Sequence, residues 1–477
     1  MDQSLVLPDR NVSSYAHHRE ARGGDALAVS STLGADGILS IIETADLRGR
    51  GGAWFPTATK WRTTRRFAGA DTTPTLVVNA AEGEPGSFKD RWLLRRDPYS
   101  VIEGAVIAAG VIGADTVVFA VKRRARTEIA SLQAALRSVR STTTVPMPAF
   151  EVVEGPDRYL FGEESALLEV VAGRPPFPRL SPPWRHGALD LGSRGAPAST
   201  ALSGEGRTEG MEDGGQLPPP ALVQNVETLA RAAHIVRQPD SPGMVARTFL
   251  ATVSGDVERT RVVEIPIGVS MRDVLGDDAD AAAAVLNGVT YPIIDPDRFD
   301  LPLLPGGEPD ESIPIGAGAF QAFSAATDPR SIAAAAARFL STESCGQCEP
   351  CKSDGLAISE ILVDLANPDG GAGDHAADAA AALARRAGTV TEGARCGLAA
   401  QQRDVVEGLL AYFPDALART GSGPGVPLRL APLLDIVDGR AVFDTEHGDV
   451  QPDWRTTPVW SGRYPAAVED VAQEASR

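Results

Sequence analysis

Three of the four cysteines of this chain lie in one run, Cys345-Gly346-Gln347-Cys348-Glu349-Pro350-Cys351, and the fourth, Cys396, stands well downstream. Three thiolates at C-x-x-C-x-x-C spacing can hold three corners of a cuboidal cluster from one loop, and a distant fourth closes it, which is the ligand logic of a 4Fe-4S centre. Structural zinc more often uses two separate close pairs, and free cysteines can simply be small buried hydrophobes, so both readings stand beside the first. A disulfide framework is excluded by so few cysteines in 477 residues. A one-electron carrier in a soluble enzyme calls for a two-electron partner cofactor, which directs attention upstream.

Two upstream loops could supply a cofactor site. In Leu47-Arg48-Gly49-Arg50-Gly51-Gly52-Ala53-Trp54-Phe55-Pro56-Thr57, followed by Lys60 and Trp61, clustered glycines would let backbone N–H groups approach a phosphate while Arg48, Arg50 and Lys60 add charge. It is not a dinucleotide fingerprint, because Trp54 takes the last glycine position and no clear strand precedes it; an exposed Gly/Arg loop is the plain alternative. In Asn79-Ala80-Ala81-Glu82-Gly83-Glu84-Pro85-Gly86, carboxylates follow a strand and precede a helix, where α/β folds present acceptors to ribose or ribityl hydroxyls. An acidic helix start favoured by the dipole fits the same residues, and it also fits Glu163 and Glu164 in Tyr159-Leu160-Phe161-Gly162-Glu163-Glu164.

The elements that must position these residues follow from periodicity. Runs at 75–78, 116–121 and 150–153 alternate with helical segments, an α/β reading. Phe249 to Val253 and Arg261 to Ile265 flank Ser254-Gly255-Asp256 as a hairpin, within a small β-grasp-type module. Ala-rich amphipathic segments from Ser331 to Phe413 surround the cysteines as a helical domain. The expected organisation is an extension over 1–46, a cofactor-binding α/β domain over 47–240 with a flexible insertion at 185–215, the β-grasp module over 245–325, the helical domain over 331–415 and an irregular tail over 428–477. The net charge of −18 argues against nucleic acid. The apolar stretch 101–121 is broken by Glu103 and Asp115, so no membrane span is expected, nor is a secretory signal. The six histidines lack ligand spacing.

Taken in order, these motifs, with Gln224-Asn225-Val226-Glu227-Thr228-Leu229, resemble the flavoprotein (F) subunit of NADH-quinone oxidoreductase, respiratory complex I, and its relatives in NAD-linked formate dehydrogenases and hydrogenases. The resemblance implies a Rossmann-like FMN- and NADH-binding domain, a soluble-ligand-binding β-grasp domain and a helical bundle with one 4Fe-4S cluster. It places Gly49, Arg50, Gly51, Gly52 and Lys60 around the flavin phosphate and ring, Asn79 and Glu82 on the flavin, and Asn225 and Thr228 on its far side. Phe55, Glu84, Tyr159, Gly162, Glu163 and Glu164 would border the nicotinamide nucleotide, with Glu84 and Glu164 as the catalytic carboxylates, and Cys345, Cys348, Cys351 and Cys396 would be the cluster ligands. The implied activity is an NAD(P)H dehydrogenase, or diaphorase, passing electrons from NADH or NADPH to a separate 2Fe-2S, thioredoxin-like subunit or other redox partner. The expected location is cytoplasmic, or peripheral to a membrane through partner subunits. Where the family has Asp and Gly this chain has Ala81 and Trp54, the latter placing an indole beside the expected cofactor. Thr63 and Ser181 replace an aromatic and a basic residue that hold NADH in many members. These departures motivate a second reading: an electron-relay or scaffold subunit that keeps the cluster without FMN or NADH.

Overall fold

The computed structural model describes residues 5–8, 10–68, 72–185, 187, 219–308, 310–367, 376–418, 428–447, 458–459 and 462–463. Apart from Arg185 and Gly187, the expected insertion at 185–215 lies outside the described residues.

Helices α1 (Tyr15–Ala21), α2 (Ala26–Thr44) and α3 (Thr57–Ala68) precede the first strand, β1 (Thr75–Ala80). Then come α4 (Lys89–Arg96), α5 (Pro98–Ile112), β2 (Thr116–Lys122), α6 (Arg126–Thr142), β3 (Ala149–Gly155), a 3-10 turn at Tyr159–Gly162, α7 (Glu164–Val171), β4 (Ala221–Asn225) and α8 (Val226–Arg237). The four strands form a parallel sheet in the order β3-β2-β1-β4. All but β3 are near-continuous apolar runs, as expected for strands covered on both faces. Because β2 and β4 flank β1 on opposite sides, the strand order reverses there, and open α/β sheets bind ligands beyond the carboxyl ends of such strands. Asn79 and Asn225 are register partners at that point.

The segment read as an extension is part of this core. Tyr15, Leu27, Ile38, Leu39 and Ile42 are buried in the same cluster as Leu76, Phe119 and Leu229. Among the described residues α2 is the one helix long and apolar enough to cross a membrane, and its buried face packs on α5 and α8. The stretch 101–121 is instead divided between α5 and β2 by Gly113, whose φ of 77° ends the helix in the left-handed region.

The next region runs through α9 (Gly243–Ala246), β5 (Thr248–Gly255), β6 (Arg261–Pro266), α10 (Met271–Leu275), β7 (Ala282–Asn287), β8 (Leu303–Leu304), β9 (Ile313–Pro314) and β10 (Ala319–Ser324). Here β5 and β6 pair antiparallel as the hairpin spacing predicts, in a mixed sheet ordered β6-β5-β10-β7. Helices α11 (Pro329–Glu343), α12 (Glu349–Ala366), α13 (Ala376–Thr389), α14 (Leu398–Tyr412) and α15 (Pro414–Ala418) then pack on one another. The tail, read as irregular, forms the hairpin β11 (Leu433–Val437) and β12 (Arg440–Phe443). Arg91 donates to the Leu433 carbonyl, Arg95 pairs with Asp435, and His447 sits 3.2 Å from Glu343, so this hairpin joins α4 to α11.

Candidate cofactor site and thiol recess

The amino ends of two helices converge on the cysteines. Cys348 is the N-cap of α12 with Cys351 in its first turn, and Cys396 precedes Gly397, the N-cap of α14. Gly346, at φ 72°, makes the bend between Cys345 and Cys348. Helix amino ends favour negative charge, so both stabilise thiolates at this place. All four cysteines line one small recess together with Leu160, Ser344, Ala394, Arg395, Leu398 and Ala399. Burial raises the protonated thiols: Cys351 to about 12, with Cys345 and Cys396 also pushed up. A metal that displaces these protons to solvent removes the cost of a buried free thiolate. Among the described residues no three His, Cys, Asp or Glu groups gather closely enough for one metal ion. Four thiols around one recess can serve a tetrathiolate metal centre, and three of them come from one C-x-x-C-x-x-C loop, the spacing that suits a 4Fe-4S cluster.

The loops beyond the parallel sheet meet one another. The glycine loop leaves α2, closes through Gly49 N–H donating to Phe55 O, and returns to α3. Gly51 passes over Asn225, where a Cβ would lie 3.5 Å from the asparagine Cβ. Asn225 caps α8 by accepting from Glu227 N and Thr228 N, and its Nδ2 donates to Asp90. The Arg50 N–H donates to Thr228 Oγ1 at 2.8 Å. Asn79 donates to Gly162 O and accepts from Ala81 N, which ties the loop after β1 to the turn after β3. Lys60 on α3 pairs with Glu164 at the start of α7. Gly51 and Phe55 are exposed on the rim. Two asparagines in register at the switch point and glycines beside a helix amino end stand where open α/β sheets bind phosphate-bearing ligands.

Several side chains go elsewhere than expected. The Arg50 guanidinium is 2% exposed and donates to the carbonyls of Arg48, Ala246 and Thr248, so it faces the mixed sheet and not a phosphate. Burial, with Arg231 nearby, pulls it down to about 9. Trp54 adopts φ 53°, a left-handed backbone that suits the glycine it replaces. The indole ring is buried in one apolar cluster with Phe249, Val253 and Ile315, Nε1 donates to Gly316 O at 2.8 Å, and Arg50 lies 4.2 Å above it. Glu82 accepts from Ser87 Oγ, Asp90 N and Arg91 N, the helix-start role offered as its alternative. Glu163 likewise caps α7 through Ala166 N, and burial raises it. Ala81 packs in an apolar cluster with Val77 and Phe161.

Glu84 marks where three parts of the chain meet. One carboxylate oxygen accepts from Val289 N and Thr290 Oγ1, and the other accepts from Tyr159 OH at 2.8 Å. Gln401 of α14 donates to the same Tyr159 oxygen, and Tyr159 N donates to Glu343 of α11. Burial raises Glu84 above the usual carboxylate range. Leu160, the next residue, lines the thiol recess, so one turn separates the Glu84 carboxylate from the cysteines. The sequence reading missed Gln401, Thr290 and Lys122. Lys122 ends β2, is 9% exposed, and its Nζ would lie 2.5 Å from a Cβ on Gly83; burial lowers it. The rule that drew attention to the end of β1 applies equally to a lysine closing the run 116–121. Gln401 and Thr290 carry no comparable local signal.

Known proteins share these features. The family model described as the Nuo51 FMN-binding domain matches residues 42–234, and the NADH-ubiquinone oxidoreductase-F iron-sulfur binding region matches residues 331–420. The NADH-quinone oxidoreductase F subunit 2 of Rhizobium meliloti is 29% identical over 383 residues, covering 74% of this chain and 83% of that protein. The corresponding F subunit of Mycobacterium bovis is 30% identical over 390 residues, covering 76% of this chain and 80% of that protein. Among solved structures, an NAD+-reducing NiFe-hydrogenase in the H2-reduced state is similar, with a TM-score of 0.67 and 30% identity over 85% of this chain and 66% of that one. With the flavin-domain match spanning the glycine loop through Thr228 and the iron-sulfur match spanning all four cysteines, this chain belongs to the family of NADH-quinone oxidoreductase F subunits.

Proposed function

We infer that the chain is the NADH-oxidising flavin and iron-sulfur subunit of a larger oxidoreductase. The observation that carries this reading is the single turn Tyr159–Gly162 joining the switch-point loops to a recess lined by four cysteines. When bound, FMN accepts hydride from the reduced nicotinamide and a 4Fe-4S cluster passes electrons singly. The chain's own work is to bind and orient. Asn79 and Asn225 hold opposite sides of the switch point, Gly51 and Gly52 admit a phosphate near α8, and the Lys60–Glu164 pair with Phe55 borders the entrance. Glu84, fixed by Val289, Thr290 and Tyr159, presents a partly buried acceptor toward a nucleotide, with Glu163 and Gly162 on the same turn. Cys345, Cys348, Cys351 and Cys396 hold the cluster. The flavinless relay reading is not favoured, because Trp54 and Ala81 are taken up by packing.

The mixed sheet with its helix serves as the β-grasp domain and α11 to α14 as the bundle around the cluster. With every cysteine committed, the electron acceptor is another chain, a 2Fe-2S, thioredoxin-like subunit, and the chain works in the cytoplasm or on a membrane through such partners. Either NADH or NADPH is the donor. Anaerobically purified chain, given FMN, iron and sulfide, should show flavin absorbance that NADH bleaches together with the cluster band. Bound zinc without iron, or a flavin spectrum unchanged by NADH and NADPH, would refute the reading.

A further inference from the structure

Gln402 lies on α14, shortly after Cys396, and is wholly buried. Its Oε1 is 3.9 Å from Cys351 Sγ and accepts that thiol's hydrogen, while its Nε2 has no hydrogen-bonding partner. Buried amide donors are seldom left so, and each such group calls for an explanation. Room for this amide is built into the neighbouring helix: a Cβ on Gly355, one turn after Cys351, would lie 2.2 Å from Gln402 Nε2. A glycine inside a helix weakens it, and here it accommodates the amide.

The pairing suits a free thiol and not a ligand. Once Cys351 binds iron it is a thiolate without a proton, so Oε1 would face a sulfur anion while a donor remained orphaned on the same side chain. A half-turn about the terminal torsion, which has a broad two-fold profile, exchanges the two atoms and turns Nε2 toward sulfur. The oxygen left behind is the less costly orphan, since buried carbonyls go under-satisfied more often than N–H groups. We propose that, in the iron-sulfur-loaded protein, Gln402 donates an N–H···S hydrogen bond to the Cys351 thiolate and thereby raises the reduction potential of the cluster. This rests on the cluster assignment above. Reduction adds one electron and one unit of negative charge to the cluster, and a donor on its sulfur ligand stabilises that charge. Gln347 shows the same chemistry at another ligand, its Nε2 standing 3.4 Å from Cys345 Sγ, but that amide is shared with the Pro178 carbonyl at 3.3 Å. The Gln402 amide donates to no protein acceptor as it stands.

The test uses the full chain, loaded anaerobically, analysed for iron and sulfide, and titrated with dithionite while the reduced cluster is followed by electron paramagnetic resonance. Gln402→Met keeps length and volume without a donor, and Gln402→Glu keeps the shape with a carboxyl. Both should retain iron and sulfide and be harder to reduce, with the one-electron equilibrium shifted against reduction by up to about tenfold, or ~59 mV. The drop in Gln402→Glu should deepen as pH rises and its carboxyl ionises, and that in Gln402→Met should not. Unchanged midpoints in both variants overturn the proposal. So does loss of the cluster from both with the circular dichroism intact, which would make Gln402 a structural clamp. A wild-type chain that binds no iron defeats the cluster assignment itself and the proposal with it, an outcome distinct from a loaded cluster with an unmoved midpoint.

Discussion

His18 shows how little a residue's type says about its task before its neighbours are known. No ligand spacing surrounds it, yet its Nδ1 is 2.9 Å from Asp97 and its Nε2 3.0 Å from Glu103, all fully buried. Burial works to lower its pKa, but the hydrogen bonds to Asp97 and Glu103 outweigh burial and raise it. A raised folded value means that the contribution is complete below the unfolded value of about 6.5 and disappears as pH climbs through the folded one. Urea midpoints of the wild type should therefore fall more steeply above neutrality than those of His18→Gln, and the variant should lose roughly 1.5–3 kcal/mol at pH 6, because Asp97 and Glu103 lose a charged partner while keeping Arg22 and Arg237. Parallel pH curves for the two proteins would contradict this. Cys345, Cys348, Cys351 and Cys396 are the opposite case, since their spacing alone placed them at one site.

Elements were legible where local pattern and tertiary environment agree. The runs that became β1, β2 and β3, the β5–β6 hairpin and the helix ended by Gly113 follow their periodicity. Strand β4 was not foreseen, because it is a five-residue run after Pro218-Pro219-Pro220 with no alternation, buried in all but its last residue. The direction of the Trp54 side chain was also hidden, because a left-handed φ at a bulky residue is set by what lies across the fold. Trp54→Gly would relieve that backbone, worth ~1 kcal/mol or more, and would lose a large buried ring, worth ~3–5 kcal/mol. We expect a net loss of about 2–4 kcal/mol in thermal or urea unfolding with flavin retention at 25 °C unaltered. A gain in flavin affinity would show that the indole does reach the cofactor.

At the scale of the whole molecule, the parallel and mixed sheets are joined by buried charge. Glu227, fully buried, accepts from Lys89, Arg231 and Leu250 N and lies 3.8 Å from Arg50, while Arg231 reaches Glu264 on β6. Burial alone would raise the Glu227 carboxyl, but Lys89, Arg231 and Arg50 hold it below its ordinary value. Its share of stability is complete above the unfolded value of about 4.5 and fades as pH falls. Glu227→Gln keeps the shape but removes the one carboxylate that Lys89, Arg231 and Arg50 share, and among the described residues it leaves Arg50 without an ion-pair partner, so it should cost roughly 3–5 kcal/mol, read as a lower urea midpoint at pH 7. A variant as stable as the wild type would show that the joint is held by apolar contact. Domain bounds drawn from composition missed this joint, and they missed the packing of residues 5–44 into the core, because both depend on partners far away in sequence.

The turn Tyr159–Gly162 is held at every position: Tyr159 by Glu84, Glu343 and Gln401, Leu160 and Phe161 by burial, and Gly162 by Asn79. A Cβ on Gly155 would lie 2.2 Å from the Phe161 ring, so the turn packs directly on the end of β3. Traffic between the two ends of this bridge is thus governed by fixed spacing and energy difference, without a hinge to wait for, and its rate should be indifferent to the viscosity of the solvent.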